Sequence, residues 1–236
     1  MRTICRSVPP FKNTTRVFVA SVIVTALLYA VPVGRTLAWP LVLVSTLAHE
    51  LGHGLAAAIL GGRFESLVIY QDASGAAYWS GTLGRVATAT VAAAGLVGPA
   101  AAAFALLAFG RTDRGARILL AIVAATLVGV TLLLVRNPFG MAFTAVLAAS
   151  MIAVMVWAPR ASQGVIVFLA VQLALSIFSR GDYLFTRSAV TALGVRLSDV
   201  GVMSRALVLP YWFWGALCGA LSVILLAAGF KLFFRR

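Results

Sequence analysis

Seven apolar runs, most of them near bilayer-crossing length, constrain this chain more than any other feature. They are Val17–Val33, Leu37–Leu60, Val86–Phe109, Ile118–Val135, Phe139–Trp157, Val165–Phe178 and Tyr211–Phe234. A helix needs about 20 predominantly apolar residues to cross the hydrocarbon core. Pro, Gly or Arg residues punctuate the runs, and Trp212 and Trp214 sit where interfacial anchors belong. Hydrophobic residues make up 62% of the chain and charged residues 11%, against about 45–50% and about 25% in a soluble domain. Both departures exclude an ordinary soluble domain, and the hydrophobicity excludes a disordered chain. The pattern predicts an all-α polytopic membrane protein with about six to seven transmembrane helices. It reads as a single membrane-embedded domain over residues 1–236.

The formal net charge is +13. The basic residues are mostly single arginines at the ends of apolar runs, the placement that lipid headgroups favour. The bilayer is therefore the expected partner, and nucleic acid is not. Residues 1–16 form a basic tail before a retained first span, which Pro32 and Gly34 are expected to end. Cys5 and Cys218 lie at opposite ends of the chain and exclude a disulfide scaffold.

Two segments do not read as spans. Residues 64–80 combine β-branched and aromatic residues with a turn at Asp72–Gly75, which predicts a small β-hairpin. Residues 179–210 are the longest polar stretch and contain Arg180, Asp182, Arg187, Arg196, Asp199 and Arg205. This stretch reads as a solvated loop with short interfacial helices.

Both histidines of the chain, His49 and His53, fall in the sequence His49-Glu50-Leu51-Gly52-His53. Residues four apart on a helix share a face, so two imidazoles there can hold one zinc ion. Glu50 is then placed to act as general base on water. The motif lies mid-run in 37–60, where ionisable side chains cost several kcal/mol unless satisfied. Zinc of this kind takes a third protein ligand and keeps an open position. No further His exists, so the third ligand is a carboxylate from Glu65, Asp72, Asp113, Asp182 or Asp199. Asp113 reads as a surface charge, Asp72 as a turn residue, and Glu65 as pointing away. Asp182 and Asp199 are nearly equal by position. Their structural alternatives are an ion pair with neighbouring arginines for Asp182 and a helix N-cap for Asp199.

The chain resembles the site-2 protease family of intramembrane zinc metalloproteases, in particular the compact bacterial branch without a PDZ domain. The resembling residues are His49 to Ala57, Gly61-Gly62-Arg63, Ser74-Gly75, Gly95-Leu96-Val97-Gly98-Pro99-Ala100, Asp182, and Ser198-Asp199-Val200 before an aromatic-rich last helix. A familiar Leu-Asp-Gly motif is absent, and Asn137-Pro138 reads as a helix boundary. The resemblance implies one Zn2+ per chain, held by His49, His53 and Asp199, with Asp182 as the alternative third ligand. It implies Glu50 as the base and a membrane-spanning helix as the substrate. A bacterial plasma membrane is the implied location. Gly95 and Gly98 are candidate substrate-side residues because small residues let helices part or approach. Val68 and Tyr70 are candidates because a hairpin edge offers backbone partners to an unwound strand. Two other readings remain: a catalytically inactive membrane scaffold or regulator of the same family, and a metal or proton transporter. No internal repeat supports the transporter.

Overall fold

The computed structural model describes residues 10–30, 32–179, 181–192 and 194–235; within them, the side chains of residues 10–14, 29, 32–35, 37, 177–179, 181 and 182 are not described. The expected tail before residue 10, Arg180, and the side chain of Asp182 therefore lie outside the described residues. The helices are α1 (Pro10–Ala30), α2 (Pro32–Ile59), α3 (Arg85–Phe109), α4 (Asp113–Leu133), α5 (Pro138–Trp157), α6 (Ser162–Ser179), α7 (Asp199–Ala206) and α8 (Tyr211–Phe234). Two antiparallel hairpins interrupt them: β1 (Arg63–Ile69) with β2 (Gly75–Ser80), and β3 (Ser188–Thr191) with β4 (Gly194–Leu197). The protein is an all-α polytopic membrane protein with a small hairpin after the motif helix.

Among the described residues six helices are long and apolar enough to cross a membrane, and the first run contributes a shorter apolar stretch, Thr15–Leu28. The first helix ends at Ala30, just before Pro32, but Gly34 lies inside α2 and ends nothing. Pro32 is not only a stop. It opens α2, because a helix's first position needs no N–H partner and Pro pre-sets the helical φ. The 179–210 segment holds more order than a solvated loop. A 3-10 turn at Gly181–Phe185 leads into the second hairpin, and then into α7.

With no hydrophobic drive between helices in lipid, close packing and hydrogen bonds hold spans together. At α2 and α3 the small residues serve this. A Cβ on Gly52 would stand 2.3 Å from the Ala94 carbonyl oxygen, and one on Gly98 would stand 2.9 Å from that of Ala48. Buried polar groups pair across other contacts. Thr131 Oγ1 meets Thr144 Oγ1 at 2.8 Å between α4 and α5, and Gln172 of α6 donates to Thr25 of α1.

The first hairpin is fastened along α2. Trp39 Nε1 donates to the Gln71 carbonyl at 3.1 Å and Thr46 Oγ1 to the Ala73 carbonyl at 2.8 Å. Its far edge is fastened to the α4–α5 connection. Leu67 N–H donates to Leu134 O, and Arg136 N–H to Leu67 O. The Asn137 side chain receives the Ile69 N–H and donates to the Ile69 carbonyl, acting as a short surrogate strand.

Candidate metal centre

His49 and Glu50 lie on α2 one turn beyond Thr46, and His53 one turn further, so the fastened hairpin turn sits over the start of the motif. Four-residue spacing puts both imidazoles on one helix face. Their rings meet edge to face, 4.6 Å between centroids. His53 Nδ1 lies 2.8 Å from the Val91 carbonyl on α3. A carbonyl only accepts, so Nδ1 carries the proton in the neutral ring and Nε2 presents a lone pair. Gly95 makes room for that ring: a Cβ there would stand 2.1 Å from His53 Cε1.

Asp199 arrives from the other end of the chain. Ser198 caps α7, accepting the Gly201 N–H at 3.2 Å. The cap is thus Ser198, and Asp199 is the first helical residue. Val200 and Met203 bury against Ala89, Ala92 and Leu96 of α3 and Cys218 of α8. Arg85 Nε ties α3 to the Ala206 carbonyl at 2.7 Å. This packing turns the Asp199 carboxylate onto the motif. Oδ2 lies 3.0 Å from His49 Nε2, Oδ1 lies 3.3 Å from His53 Nε2, and the two Nε2 atoms are 3.1 Å apart. Oδ2 is buried and no hydrogen bond reaches it, its short approach to His49 notwithstanding.

These atoms form a group that can hold a metal ion. Mutually facing electron-rich atoms with too few protons between them repel unless a cation joins them. Three ligands at about 2.0–2.1 Å from a tetrahedral zinc are separated by roughly 3.3–3.4 Å. The separations of 3.0 to 3.3 Å come close to this. The donor set, two imidazoles and a carboxylate, also suits zinc. Among the described residues no other His, Cys, Asp or Glu group of this kind exists.

Glu50 is 5% exposed and opens onto a cavity of about 530 Å³ beside His49. Ser45, Thr46, Ser176 and Ser222 line this space with hydroxyls, and Tyr183 packs edge to face on His49 at its margin. The first hairpin supplies Asp72 to Gly75, and the second supplies Ala189 to Thr191. Gly75 is there for space: its Cβ would come within 2.8 Å of Glu50 Cγ. Asp72 is a turn residue, as its sequence position indicates. Two hydrogen bonds from Ser74 hold its carboxyl below the ordinary range.

The remaining candidates fall outside this cavity. Gly95 abuts His53 and Gly98 abuts α2, so both set how closely α3 approaches the motif helix. Val68 is buried, and the Tyr70 N–H bonds Ser74 O inside the hairpin. The β1 edge beyond them is taken by residues 134–137. Thr46 and Val91 had no signal in the sequence that set them apart, and Gly75 and Asn137 read there only as a turn residue and a helix boundary. A carbonyl acceptor such as that of Val91 belongs to no residue type at all.

Fold and site together define the class: a polytopic membrane protein whose helices frame a group fit to hold one metal ion beside a buried carboxylate. The sequence model of a family described as Peptidase M50B-like matches residues 19–229. The chain belongs to that family, the site-2 protease family of metallopeptidases, whose members are zinc-dependent. No curated protein and no solved structure matches the chain.

Proposed function

We propose that the chain is an intramembrane zinc metalloendopeptidase that hydrolyses peptide bonds of membrane-embedded substrate helices. The observation that carries this is the convergence of His49, His53 and Asp199 to separations of 3.0 to 3.3 Å next to buried Glu50, in a cavity lined by hydroxyls. His49 Nε2, His53 Nε2 and Asp199 hold one Zn2+ per chain in this reading, with Asp182 as the alternative third ligand. A zinc ion bound there supplies Lewis acidity to the scissile carbonyl and acidifies water.

The chain's own residues do the rest. Val91 fixes the His53 tautomer through Nδ1, which aims Nε2 at the cluster. Ser45, Thr46, Ser176 and Ser222 give water a hydrogen-bonded route to membrane depth. A Glu50 oxygen accepts the proton of the attacking water and passes it to the leaving amide nitrogen. A substrate helix must unwind first, since its carbonyls are otherwise hydrogen-bonded within the helix. The substrate is a membrane protein, and the bacterial plasma membrane is the proposed location.

Two measurements on detergent-purified protein test the reading. Wild type should hold about one zinc per chain, and Glu50→Gln should keep it while cleavage of a helical membrane substrate falls by about 10²–10⁴-fold. His53→Ala and Asp199→Asn should lose zinc, and Asp182→Asn should keep it. Zinc loss from Asp182→Asn instead of Asp199→Asn makes Asp182 the ligand. A wild type that takes up no divalent metal, even with zinc supplied, favours the inactive scaffold.

A further inference from the structure

The α3–α4 and α5–α6 connections meet the ends of α1 and α8 at one end of the bundle. Gln163 Nε2 of α6 donates to the Arg111 carbonyl at 2.9 Å, and Ile166 lies against Gly110. Phe18 of α1 packs on Phe230, Phe233 and Phe234 of α8. From Gly95, which abuts His53, α3 runs 14 residues further to Phe109, about 21 Å of helix. This end is therefore well apart from the candidate metal centre. Cations gather here. Arg111, Arg114, Arg117, Arg160, Lys231 and Arg235 stand against one acidic side chain, Asp113. The chain's other acids belong to α2, the first hairpin, the Gly181–Phe185 turn and α7.

A cavity of about 640 Å³ lies between α1, α4 and the start of α6. Arg117 and Arg160 line it together with Asp113, Val17 and the buried Gln163. Asp113 stands one turn before Arg117 on α4. Even so, neither guanidinium has a hydrogen-bond or ion-pair partner among the described residues. The flanking residues place the cavity where membrane and water meet. Trp157, an interfacial residue type, is 83% exposed three positions before Arg160. Ile118 and Ile122 are more than half exposed just beyond Arg117.

The lining selects a ligand by its charge and donors. A guanidinium offers a planar fork of donors that matches phosphate oxygens. Two arginines and one aspartate leave a formal charge of +1, which a single phosphodiester balances. A phosphate dianion would leave one negative charge over beside Asp113. Basic pockets between transmembrane helices take lipid headgroups in this way. We propose that this cavity binds an anionic phospholipid, with its phosphodiester held by Arg117 and Arg160 and its acyl chains along Ile118 and Ile122 of α4. The site is independent of the peptidase reading. Because α1, α4 and α6 each supply part of the lining, the bound lipid joins these three helices at the membrane surface.

Thermal midpoints of the full chain in detergent micelles doped with lipid test this. At equal mole fraction, phosphatidylglycerol should raise the midpoint more than phosphatidylcholine, whose choline cancels the phosphate charge. Joint substitution of Arg117→Gln and Arg160→Gln should weaken phosphatidylglycerol binding about tenfold or more and remove most of that rise. Arg114→Gln takes the same charge from the same end without touching the cavity, and should keep the rise. Inorganic phosphate should give no such rise. An equal loss in Arg114→Gln would mean diffuse surface attraction. An equal rise with inorganic phosphate would mean a site for soluble anions, and equal rises with the two lipids would mean no headgroup recognition. Each of these overturns the proposal. Native mass spectrometry of wild type stands even if the double variant folds poorly. From micelles holding both lipids in equal amounts, the chain should carry phosphatidylglycerol in preference. A chain that carries neither lipid, or both alike, overturns the site.

Discussion

The two hairpins that flank the cavity are held in opposite ways. The first is fastened on both sides. Trp39 and Thr46 clip its turn to α2, residues 134–137 close its outer edge, and Leu67 and Ile69 are fully buried beneath it. The second stands outside the core. Val190 is 85% exposed and Val195 73%, and every residue of β4 is exposed. What order it has comes through the Arg187–Ser198 bond at its base and the contact of its tip with Ser74. Elements with few buried apolar contacts open at low free-energy cost, while core strands open only near global unfolding. The two hairpins therefore divide the labour. The first hairpin is a fixed wall that sets Glu50's surroundings. The second is an exposed wall whose base is joined to α7 through Ser198, while Val200 and Met203 pack α7 and with it Asp199 into the core.

Substitutions at each hairpin test this difference. The largest effect is expected at the fixed wall's contact with Glu50. Gly75→Val would drive a side chain into Glu50 and Thr46, which lie 2.8–2.9 Å from where its Cβ would be. Cleavage should fall by about 10²-fold, the scale of a misplacement near 1 Å, with zinc content unchanged. Cleavage at the wild-type rate would mean that the wall is not fixed. Asn137→Ala comes next. It strips the Ile69 N–H and carbonyl of their partners, a loss of about 1–3 kcal/mol. A lowered thermal midpoint in detergent would support the anchored side of the comparison, and an unchanged midpoint would remove it. Val195→Thr should be the mildest, within about 0.5 kcal/mol of wild type. A drop in midpoint as large as that of Asn137→Ala would show that the second hairpin is structural after all.

Legibility followed the range of the interactions. The motif on α2 could be read because helical spacing alone puts His49 and His53 on one face. The spans could be read because lipid demands apolar length. The first hairpin could be read from Asp72–Gly75 and its β-branched flanks. The second hairpin was passed over because Arg187 and Arg196 made its segment look like a solvated loop. Yet the alternation around Val190 and Val195, and the positive φ at Gly194, belong to a hairpin. Gly95 read as a small residue that lets helices part or approach, and it stands against the His53 ring. Local composition carries no record of which ring a glycine will meet.

By itself the sequence determined a bundle of apolar helices with two histidines and a glutamate on one turn of one of them, since both follow from periodicity within a single segment. Only the tertiary structure brought Asp199, 146 residues beyond His53 in the numbering, to within 3.3 Å of it. That placement depended on the cap at Ser198 and on Val200 and Met203 packing into α3 and α8. It was likewise the pairing of β1 with residues 134–137 that decided which strand edges stayed free. Such choices rest on contacts between distant segments, whose energies depend on shape and register and leave no periodic trace along the chain.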